Sequence, residues 1–272
     1  MTIGAAREAA AAYLDWWREA GVTSPVSDAA TDWFQLREPP VRSRAAPAPL
    51  PASPRPTPVA PAARPSPARP VAPADPAARA LVASAKSLDE LLALLQAFEG
   101  CGLKATAKNL CFYRGAPVAN VMLIGEAPGR DEDLAGKPFV GRAGQLLDRM
   151  LASIGLNESN AHIANTVYWR PPGNRNPTPE ETMVCAPFLA RQIELVKPKH
   201  IILLGGIAAK TLLGLDEGIT RLRGKWRSLD VEGRQVPALA TWHPAYLLRT
   251  PAAKRQAWQD LMLLEEALQP QI

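Results

Sequence analysis

Residues 121–129, VMLIGEAPG, decide the fold class of this chain. The first four residues are apolar and lead directly into Gly125 and the Pro128-Gly129 pair. An uninterrupted apolar run that stops at Gly and Pro is typical of a buried parallel strand that ends in a tight loop. Apolar residues return at helical spacing after Ala143, at Leu146, Leu147, Met150 and Leu151. The pattern therefore predicts a strand, a long loop and a helix, and ligands of open α/β sheets bind just beyond such strand ends.

Three further apolar runs, separated by helical stretches, predict that this strand belongs to a larger sheet. The predicted strands span residues 120–124, 162–167, 200–204 and 236–241. Because strands and helices alternate, we expect right-handed crossovers and an α/β fold with helices on both faces of a parallel sheet. The ends of parallel strands lie along one edge of the sheet. That edge should therefore collect the 125–129 loop, Asn165, Gly205-Gly206 and His243.

The composition divides the chain into three parts. Residues 1–38 include an Ala-rich stretch with two tryptophans, 3–20, which predicts one amphipathic helix that packs on the main domain or docks a partner. Residues 39–76 contain 14 of the 28 prolines, which predicts a disordered linker, with a Pro-rich recognition site as the alternative. We expect the folded domain at residues 77–272.

The overall composition narrows the class of protein. A hydrophobic share of 47% is enough for a sizeable core, and no apolar run approaches the ~20 residues of a membrane span. Charged residues interrupt the amino-terminal stretch, so no signal peptide is expected there. The chain also has only three cysteines. Together with the expected lack of a signal peptide, this count predicts a cytoplasmic protein without a disulfide framework. The net charge of +5 and a pI near 9.3 permit an acidic partner such as nucleic acid.

Two loop motifs were considered as nucleotide or metal sites. Residues 205–211, GGIAAKT, look like a phosphate loop, but such a loop needs Gly directly before the Lys, where this chain has Ala209. The first strand also lacks a G-x-G-x-x-G loop, so a nucleotide cofactor is rejected. Asp131-Glu132-Asp133 could bind a hard cation. Because no second ligand cluster stands out in the sequence, we favour a solvated acidic loop or a single working carboxylate.

His243 and Phe139 are candidate functional residues on the same edge. A lone His is usually structural, but His243 follows a buried strand and precedes Pro244, which favours function. Phe139 lies in a loop bounded by glycines. It either fills the core or offers its face to a base, as loop aromatics do in nucleic-acid sites.

Five motifs resemble those of the family 4 uracil-DNA glycosylases. They are GEAPG…ED…GKPFVGRAGQLL, Asn165 with RPPGNR, LLGGIAA, ITRLRGKW and HPAYLLR, in the same order and within roughly residues 98–264. The resemblance implies a three-layer α/β/α sandwich with a short parallel four-stranded sheet. It also implies a base-excision repair enzyme that flips deoxyuridine out of DNA, hydrolyses the N-glycosidic bond and leaves an abasic site. We expect a monomer whose partner is uracil-containing DNA and not a membrane.

The resemblance implies roles for individual residues. Phe139 would stack on uracil, Asn165 would hydrogen-bond its polar edge, and His243 would hydrogen-bond the oxygen that gains charge as the bond breaks. Glu126 and Glu132 would act as catalytic carboxylates, the first shaping the pocket and the second positioning water. The backbone of Gly125 and Ala127 would complete the pocket. Expected DNA contacts are Arg142, Arg170, Arg175, Lys225 and Arg249 on phosphates, with Leu247 or Leu248 entering the space of the flipped base.

These residue types suit the reaction. Breaking the glycosidic bond builds negative charge on uracil, and one fixed donor such as His243 stabilises such a charge by up to ~2.7–4 kcal/mol. A nearby carboxylate stabilises the positive charge that develops on the sugar or holds the water. Asn offers a donor and an acceptor on one planar group, which matches O4 and N3–H of uracil. Cytosine presents the reverse pattern.

The chain departs from the family pattern at two places. Family 4 members usually bind a [4Fe–4S] cluster through four cysteines, and the matching positions are Phe98, Cys101, Trp169 and Cys185. Two thiolates cannot assemble such a cluster, so we predict no metal cofactor, with the two aromatic residues filling its space. Ala127 stands where some other uracil glycosylases place a catalytic Asp. Either Glu132 activates the water, or stabilisation of the leaving group suffices.

Two alternative functions stay open. One is a glycosylase of the same fold that acts on another deaminated base. The other is a non-catalytic DNA-binding repair adaptor, which would recruit a repair-protein partner through the amino-terminal helix. Glu126, Glu132, Asn165 and His243 argue against the adaptor, because an adaptor has no need of these four polar residues together.

Overall fold

The structure is a computed structural model that describes residues 76–269 and, before them, only Ala12 and Asp15, both in helical conformation. The rest of the predicted helix at 3–20 and the Pro-rich linker lie outside the described residues, so the predicted domain boundaries stay predictions. Helix α1 begins at Pro76, one residue before the predicted start of the folded domain. Across the described part of the chain, no helix is both long enough and apolar enough to cross a membrane.

Strands and helices alternate through the described domain. The strands are β1 (Arg114–Gly115), β2 (Val121–Gly125), β3 (Ala161–Asn165), β4 (His200–Leu204), β5 (Trp226–Val231) and β6 (Arg234–Thr241). The helices are α1 (Pro76–Ala83), α2 (Leu88–Ala97), α3 (Arg130–Ala135), α4 (Arg142–Ala152), α5 (Pro179–Val196), α6 (Gly206–Leu213), α7 (Ile219–Leu222), α8 (Pro244–Arg249) and α9 (Lys254–Leu268).

The strands form one sheet in the order β1-β3-β2-β4-β6-β5. The inner four strands are parallel, which confirms the predicted parallel sheet. Antiparallel edge strands, β1 and β5, extend it on both sides and were not predicted. Strand β1 has only two residues, too few for a pattern. Strand β5 joins β6 through a hairpin turn at Glu232-Gly233, where both residues have positive φ.

Two apolar cores, one on each face of the sheet, make the fold a three-layer sandwich, as predicted. Met122 and Ile124 of β2 pack with residues of α1, α2 and α5, whereas Val121 and Leu123 pack with residues of α4, α8 and α9. Side chains along a strand point alternately to opposite faces, so both faces of this strand are buried. Strand β2 is therefore central, and the loop that follows it leaves the middle of the sheet.

Candidate active site

The carboxyl ends of the parallel strands meet along one edge, as the alternation of strands and helices predicts. In the register of the sheet, Gly125 pairs with Asn165, and Leu204 pairs with Thr241, two residues before His243. Neighbouring strand ends therefore carry the predicted site features, which are the 125–129 loop, Asn165, the Gly205-Gly206 pair and His243. Gly125 and His243 are 118 positions apart in the chain.

Gly125 lets two predicted site residues approach the backbone of β2. A Cβ atom at this position would lie 2.4 Å from Cζ of Phe139 and 2.5 Å from Oδ1 of Asn165, both far inside contact distance. The ring of Phe139 and the amide of Asn165 therefore occupy the space that any other residue would fill. Because the backbone of Gly125 needs no unusual φ, close approach alone explains the glycine.

The loop holds Phe139 in a left-handed conformation, with φ of 56°. Such a conformation is unfavourable for a bulky side chain and persists only where the surroundings impose it. Gly144 in the first turn of α4 permits this arrangement, because a Cβ there would lie 1.6 Å from the carbonyl oxygen of Phe139. Gly144 was not predicted as a site residue, although the second glycine of the VGRAG motif could have signalled a close approach.

Asn165 presents an acceptor atom that lacks a partner. The residue is 1% exposed, and its Oδ1 makes no hydrogen bond within the described structure. Buried polar atoms are nearly always paired, and an unpaired one costs about 1–3 kcal/mol. An oxygen of this kind, beside an aromatic ring, suits a ligand that brings an N–H group.

His243 is held as a neutral donor. It caps the amino terminus of α8, where its Nδ1 accepts a hydrogen bond of 3.1 Å from the backbone N–H of Ala245. That bond places the ring proton on Nε2. Burial, with a further contribution from the charge of Arg249, lowers the pKa of His243 to about 4, so the ring stays neutral near pH 7.

The packing around the imidazole fixes its place in the site. The ring centroids of His243 and Phe139 lie 5.6 Å apart, with the planes 32° from parallel. On the other side, Gly205 has φ of 93°, and a Cβ there would lie 3.0 Å from Cβ of His243. The first glycine of the Gly205-Gly206 pair thus supports the histidine and has no phosphate-loop role in this geometry.

The two predicted catalytic carboxylates have different surroundings. Glu126 is half-buried, and burial raises its pKa above the ordinary value. Glu132 accepts hydrogen bonds from the backbone N–H groups of Gly129, at 3.1 Å, and Gly141, at 2.9 Å. Glu132 therefore joins the residue before α3 to the residue before α4, and Phe139 lies in the segment between these two helices. Its role in positioning water stays a prediction.

The interpretation of Asp131-Glu132-Asp133 as a solvated acidic loop is wrong for two of its three residues. Asp133 is buried, and its Oδ1 accepts hydrogen bonds from the backbone N–H groups of Lys108 and Asn109, at 2.8 and 3.1 Å. Like Glu132, it satisfies backbone donors, because the run forms part of helix α3 and is not an open loop. Among the described residues, no group of three or more His, Cys, Asp or Glu side chains is arranged to hold a metal ion.

The structure also places two residues that the sequence left unassigned or ambiguous. Thr166, which follows Asn165, donates from its hydroxyl to the backbone oxygen of Glu126 at 2.6 Å and so joins the ends of β2 and β3. Its position directly after the strand was the available signal. Ala127 is half-buried and packs against the core that contains helices α1, α2 and α5. Its methyl group offers no acid or base.

Four of the five predicted phosphate contacts are exposed, and two of the five, Arg170 and Arg175, bind other side chains. Arg142, Lys225 and Arg249 are exposed. The guanidinium of Arg170 donates to Oδ1 of Asn174 at 2.7 Å. Arg175 donates two hydrogen bonds, of 2.8 and 2.6 Å, to the carboxylate of Glu181. The first three are therefore the better placed to bind a phosphate.

The two leucines of the HPAYLLR motif differ in burial. Leu247 is 0% exposed and belongs to the core with α4 and α9, so its side chain has no path into DNA. Leu248 is half-buried. The expectation that one of them enters the space of the flipped base is thereby narrowed to Leu248, where it stays a prediction.

Three of the four positions that match the cluster cysteines lie in one apolar core, and the fourth, Phe98, packs against it. The thiols of Cys101 and Cys185 are buried, and the neighbouring Cys185 lowers the pKa of the Cys101 thiol below its ordinary value. Trp169 is buried in the same core, and the ring of Phe98 packs on Phe188 with centroids 4.9 Å apart. Two thiols and two aromatic rings do not fit a group that needs four thiolate ligands.

A family model and several relatives show the family of this chain. The family model described as the uracil DNA glycosylase superfamily matches residues 112–262. The chain is 40% identical over 185 residues to the type-4 uracil-DNA glycosylase of Archaeoglobus fulgidus, covering 66% of this chain and 93% of that relative. It is 41% identical over 180 residues to the type-4 enzyme of Pyrobaculum aerophilum, covering 65% and 92%. For the type-4 enzyme of Thermotoga maritima, the identity is 40% over 153 residues, covering 55% and 77%.

Proposed function

This chain belongs to the uracil-DNA glycosylase superfamily, and we propose that it is a uracil-DNA glycosylase of base-excision repair. The observation that carries the proposal is the buried, unpartnered Oδ1 of Asn165, which shares the space above Gly125 with the ring of Phe139, and that ring packs against the neutral imidazole of His243. A buried acceptor without a hydrogen bond lowers the stability of the free protein. A ligand that donates a hydrogen bond to this acceptor recovers that energy on binding. Uracil offers the matching donor, N3–H, on a flat ring.

Recognition of the flipped base follows from Asn165 and Phe139. Oδ1 of Asn165 accepts from N3–H of uracil, and Nδ2 donates to O4. Cytosine, with an amino group at position 4 and a bare N3, places a donor against Nδ2 and an acceptor against Oδ1. Phe139 stacks on the base, as aromatic side chains do in sites that bind unpaired bases.

Cleavage depends on His243. As the N-glycosidic bond breaks, its electron pair stays with uracil, and an oxygen of the ring gains negative charge. Nε2–H of His243 donates to this oxygen, since Nδ1 is engaged with the backbone of Ala245. A fixed donor in a site without water is worth about 2.7–4 kcal/mol of barrier. A neutral imidazole serves here because it is already placed and needs no proton from solvent.

The carboxylates take separate parts. Glu126 lies directly after β2, and its half-buried carboxylate faces the developing positive charge on the sugar or holds the attacking water. The other predicted carboxylate, Glu132, acts through the loop: by binding the N–H groups of Gly129 and Gly141 it keeps Phe139 in place. This division leaves Ala127 without a chemical task, in keeping with its methyl side chain.

The DNA backbone is bound by exposed cations around this edge. Arg142 at the start of α4, Lys225 and Arg249 at the end of α8 each neutralise a phosphate, and Leu248 enters the stack that the base has left. The cytoplasmic location, the monomeric state and a repair-protein partner for the amino-terminal segment stay predictions.

One assay tests the function. Full-length protein is incubated with oligonucleotides that contain a single uracil, hypoxanthine or cytosine, and abasic sites are then cleaved with alkali. Strand cleavage at uracil, slowed at least about 100-fold in His243→Ala, is the expected result. Cleavage only at hypoxanthine would favour a glycosylase for another deaminated base. Binding without cleavage of any strand would favour the adaptor.

A further inference from the structure

Asp260 occupies an unusual place on helix α9. The inward face of this helix is mostly apolar, with Ala257, Leu261 and Leu264 buried, but it also carries Lys254, which is 3% exposed, and Asp260, which is 1% exposed. A carboxylate is strongly destabilising in such surroundings unless charged or polar groups surround it. A charged residue at a core-facing spacing of the helix is the signal for this position in the sequence.

The carboxylate of Asp260 binds two segments at once. Its Oδ2 accepts a hydrogen bond of 2.6 Å from the hydroxyl of Thr241, the last residue of β6. Arg223 donates from Nε to Oδ2 at 3.1 Å and from its terminal nitrogen to Oδ1 at 2.6 Å. Gly224 permits the close approach, since a Cβ there would lie 3.0 Å from Oδ1 and its φ is 68°.

Gln256, one turn earlier on α9, strengthens the same attachment. Its backbone oxygen accepts from Arg223 at 2.5 Å, and its Oε1 accepts from the indole N–H of Trp242 at 2.9 Å. Trp242 in turn stacks on Tyr246 of α8, with centroids 4.6 Å apart and planes 18° from parallel. Helix α9 therefore holds both residues that precede His243.

From these contacts, and on the premise of the proposed function, we propose that Asp260 is a positioning residue of the glycosylase reaction. It anchors the end of β6 from which His243 projects. Through Arg223 it also joins that end to the turn that carries Lys225. Asp260 therefore connects the segment that carries His243, the proposed donor to uracil, to the segment that carries Lys225, a proposed phosphate contact. A misplacement of about 1 Å at a reacting centre can cost an enzyme about 100-fold in rate, so the position of His243 matters for the reaction.

Asp260→Asn is the direct test, with Asp148→Asn as the matched control. Asn keeps the shape and one acceptor but turns an N–H₂ group toward Arg223. Asp148 likewise receives two hydrogen bonds from an arginine, Arg114, at 2.6 and 3.2 Å, but this pair joins α4 to the edge strand β1. We expect single-turnover excision of uracil, at saturating DNA and well below either Tm, to fall at least tenfold in Asp260→Asn and by less than twofold in the control.

A double-mutant cycle with His243→Ala separates positioning from general stability. If Asp260 acts through His243, Asp260→Asn should change the rate by less than threefold in the His243→Ala background. Equal effects of Asp260→Asn in both backgrounds, or equal rates for Asp260→Asn and the control, would overturn the inference. If Asp260→Asn does not fold, Thr241→Val removes only the hydroxyl contact and is tested in the same cycle. Failure of the wild-type protein to excise uracil would instead refute the proposed function.

Discussion

The side-chain oxygen of Asn165 lies 2.5 Å from the point that a Cβ atom on Gly125 would occupy. These two residues pair across the parallel strands β2 and β3, at the edge where both strands end. This part of the site therefore consists of the backbone of Gly125 on β2, which has no side chain, and the buried amide of Asn165 on β3. Phe139 enters the same space from the loop, so a single glycine sets the position of both residues proposed to contact uracil.

Gly125→Ala should lower single-turnover excision of uracil at least tenfold, because the added methyl displaces Phe139, Asn165 or both. Gly102→Ala is the control, since nothing lies within 4 Å of a Cβ at that position. Rates for the two variants should be measured beside their thermal unfolding curves. Wild-type activity in Gly125→Ala would mean that the close approach has no part in catalysis.

Asn165→Asp tests the contact with the polar edge of uracil. The change replaces the N–H₂ donor by an ionised acceptor, which faces O4 of uracil and leaves that oxygen unpaired, at about 1–3 kcal/mol or more. Excision of uracil should fall at least tenfold, by about 1.4 kcal/mol for each decade. Residual activity should shift toward cytosine, whose amino group gains an acceptor. If Asn165 only supports the loop after β3, the nearly isosteric Asp will leave the uracil-to-cytosine ratio unchanged.

His243 should remain neutral, with its proton on Nε2, down to a pH near 4. Burial and the charge of Arg249 lower its pKa to about 4, and burial lowers that of His162 to about 4 as well. Ring ¹⁵N chemical shifts, followed from pH 8 to pH 4, measure both the tautomer and the pKa. A His243 ring that titrates near pH 6.5, or one protonated on Nδ1, would remove the basis for its role as a fixed neutral donor.

The same depressed values make stability depend on pH. The ordinary pKa of histidine is about 6.5, and the pKa of His162 and of His243 in the folded protein is about 4. Between these two pH values the rings are protonated in the unfolded chain but stay neutral in the folded protein. Their contribution is therefore present above pH 6.5 and declines as the pH falls toward 4. Denaturant unfolding should show a smaller decline over that range in His162→Gln than in the wild-type protein.

Purified protein should contain no stoichiometric iron. Phe98 and Trp169 stand at two of the four ligand positions, and only the buried thiols of Cys101 and Cys185 remain at the other two. Metal analysis and an absorption spectrum of anaerobically purified protein provide the measurement. A broad visible absorption band, with about four iron atoms per chain, would show that other ligands complete a [4Fe–4S] cluster.

Removal of residues 1–75 should leave excision of uracil from short oligonucleotides within about threefold of the full-length rate, as expected when no residue proposed to contact the base or the DNA is deleted. Every residue of the proposed site lies between Gly125 and Arg249, and α1 begins at Pro76. Activity and Tm of the truncated and full-length proteins are compared side by side. Loss of folding would assign the amino-terminal segment to the domain itself.

The four parallel strands could be predicted because their signal is local. A strand buried on both faces, such as β2 or β4, has an uninterrupted apolar run, and the helices between the runs impose parallel pairing. Once the pairing is parallel, the strand ends share an edge, so the grouping of Asn165 and His243 follows from topology. The edge strands lacked this signal: β1 has two residues, and β5 is only partly buried.

The structural roles of the carboxylates could not be predicted from the sequence. Glu132 and Asp133 lie in an acidic run that suggests solvent or a cation, and only the folded loop brings backbone N–H groups to their oxygens. Asp260 gave the opposite impression, as a charged residue among the mainly apolar residues that face the core along α9. Its partners, Thr241 and Arg223, are 19 and 37 positions away and on different elements.

The sequence by itself therefore determined the fold class, the shared edge and the residue types available there, because hydrophobic periodicity and glycine positions act over a few neighbouring residues. Only the tertiary structure decided which atoms are free to act. It left Oδ1 of Asn165 without a partner, placed the proton of His243 on Nε2 and buried Leu247 in the core. Hydrogen bonding and burial depend on distances of a few ångströms between segments far apart in the chain, and no local pattern encodes those distances.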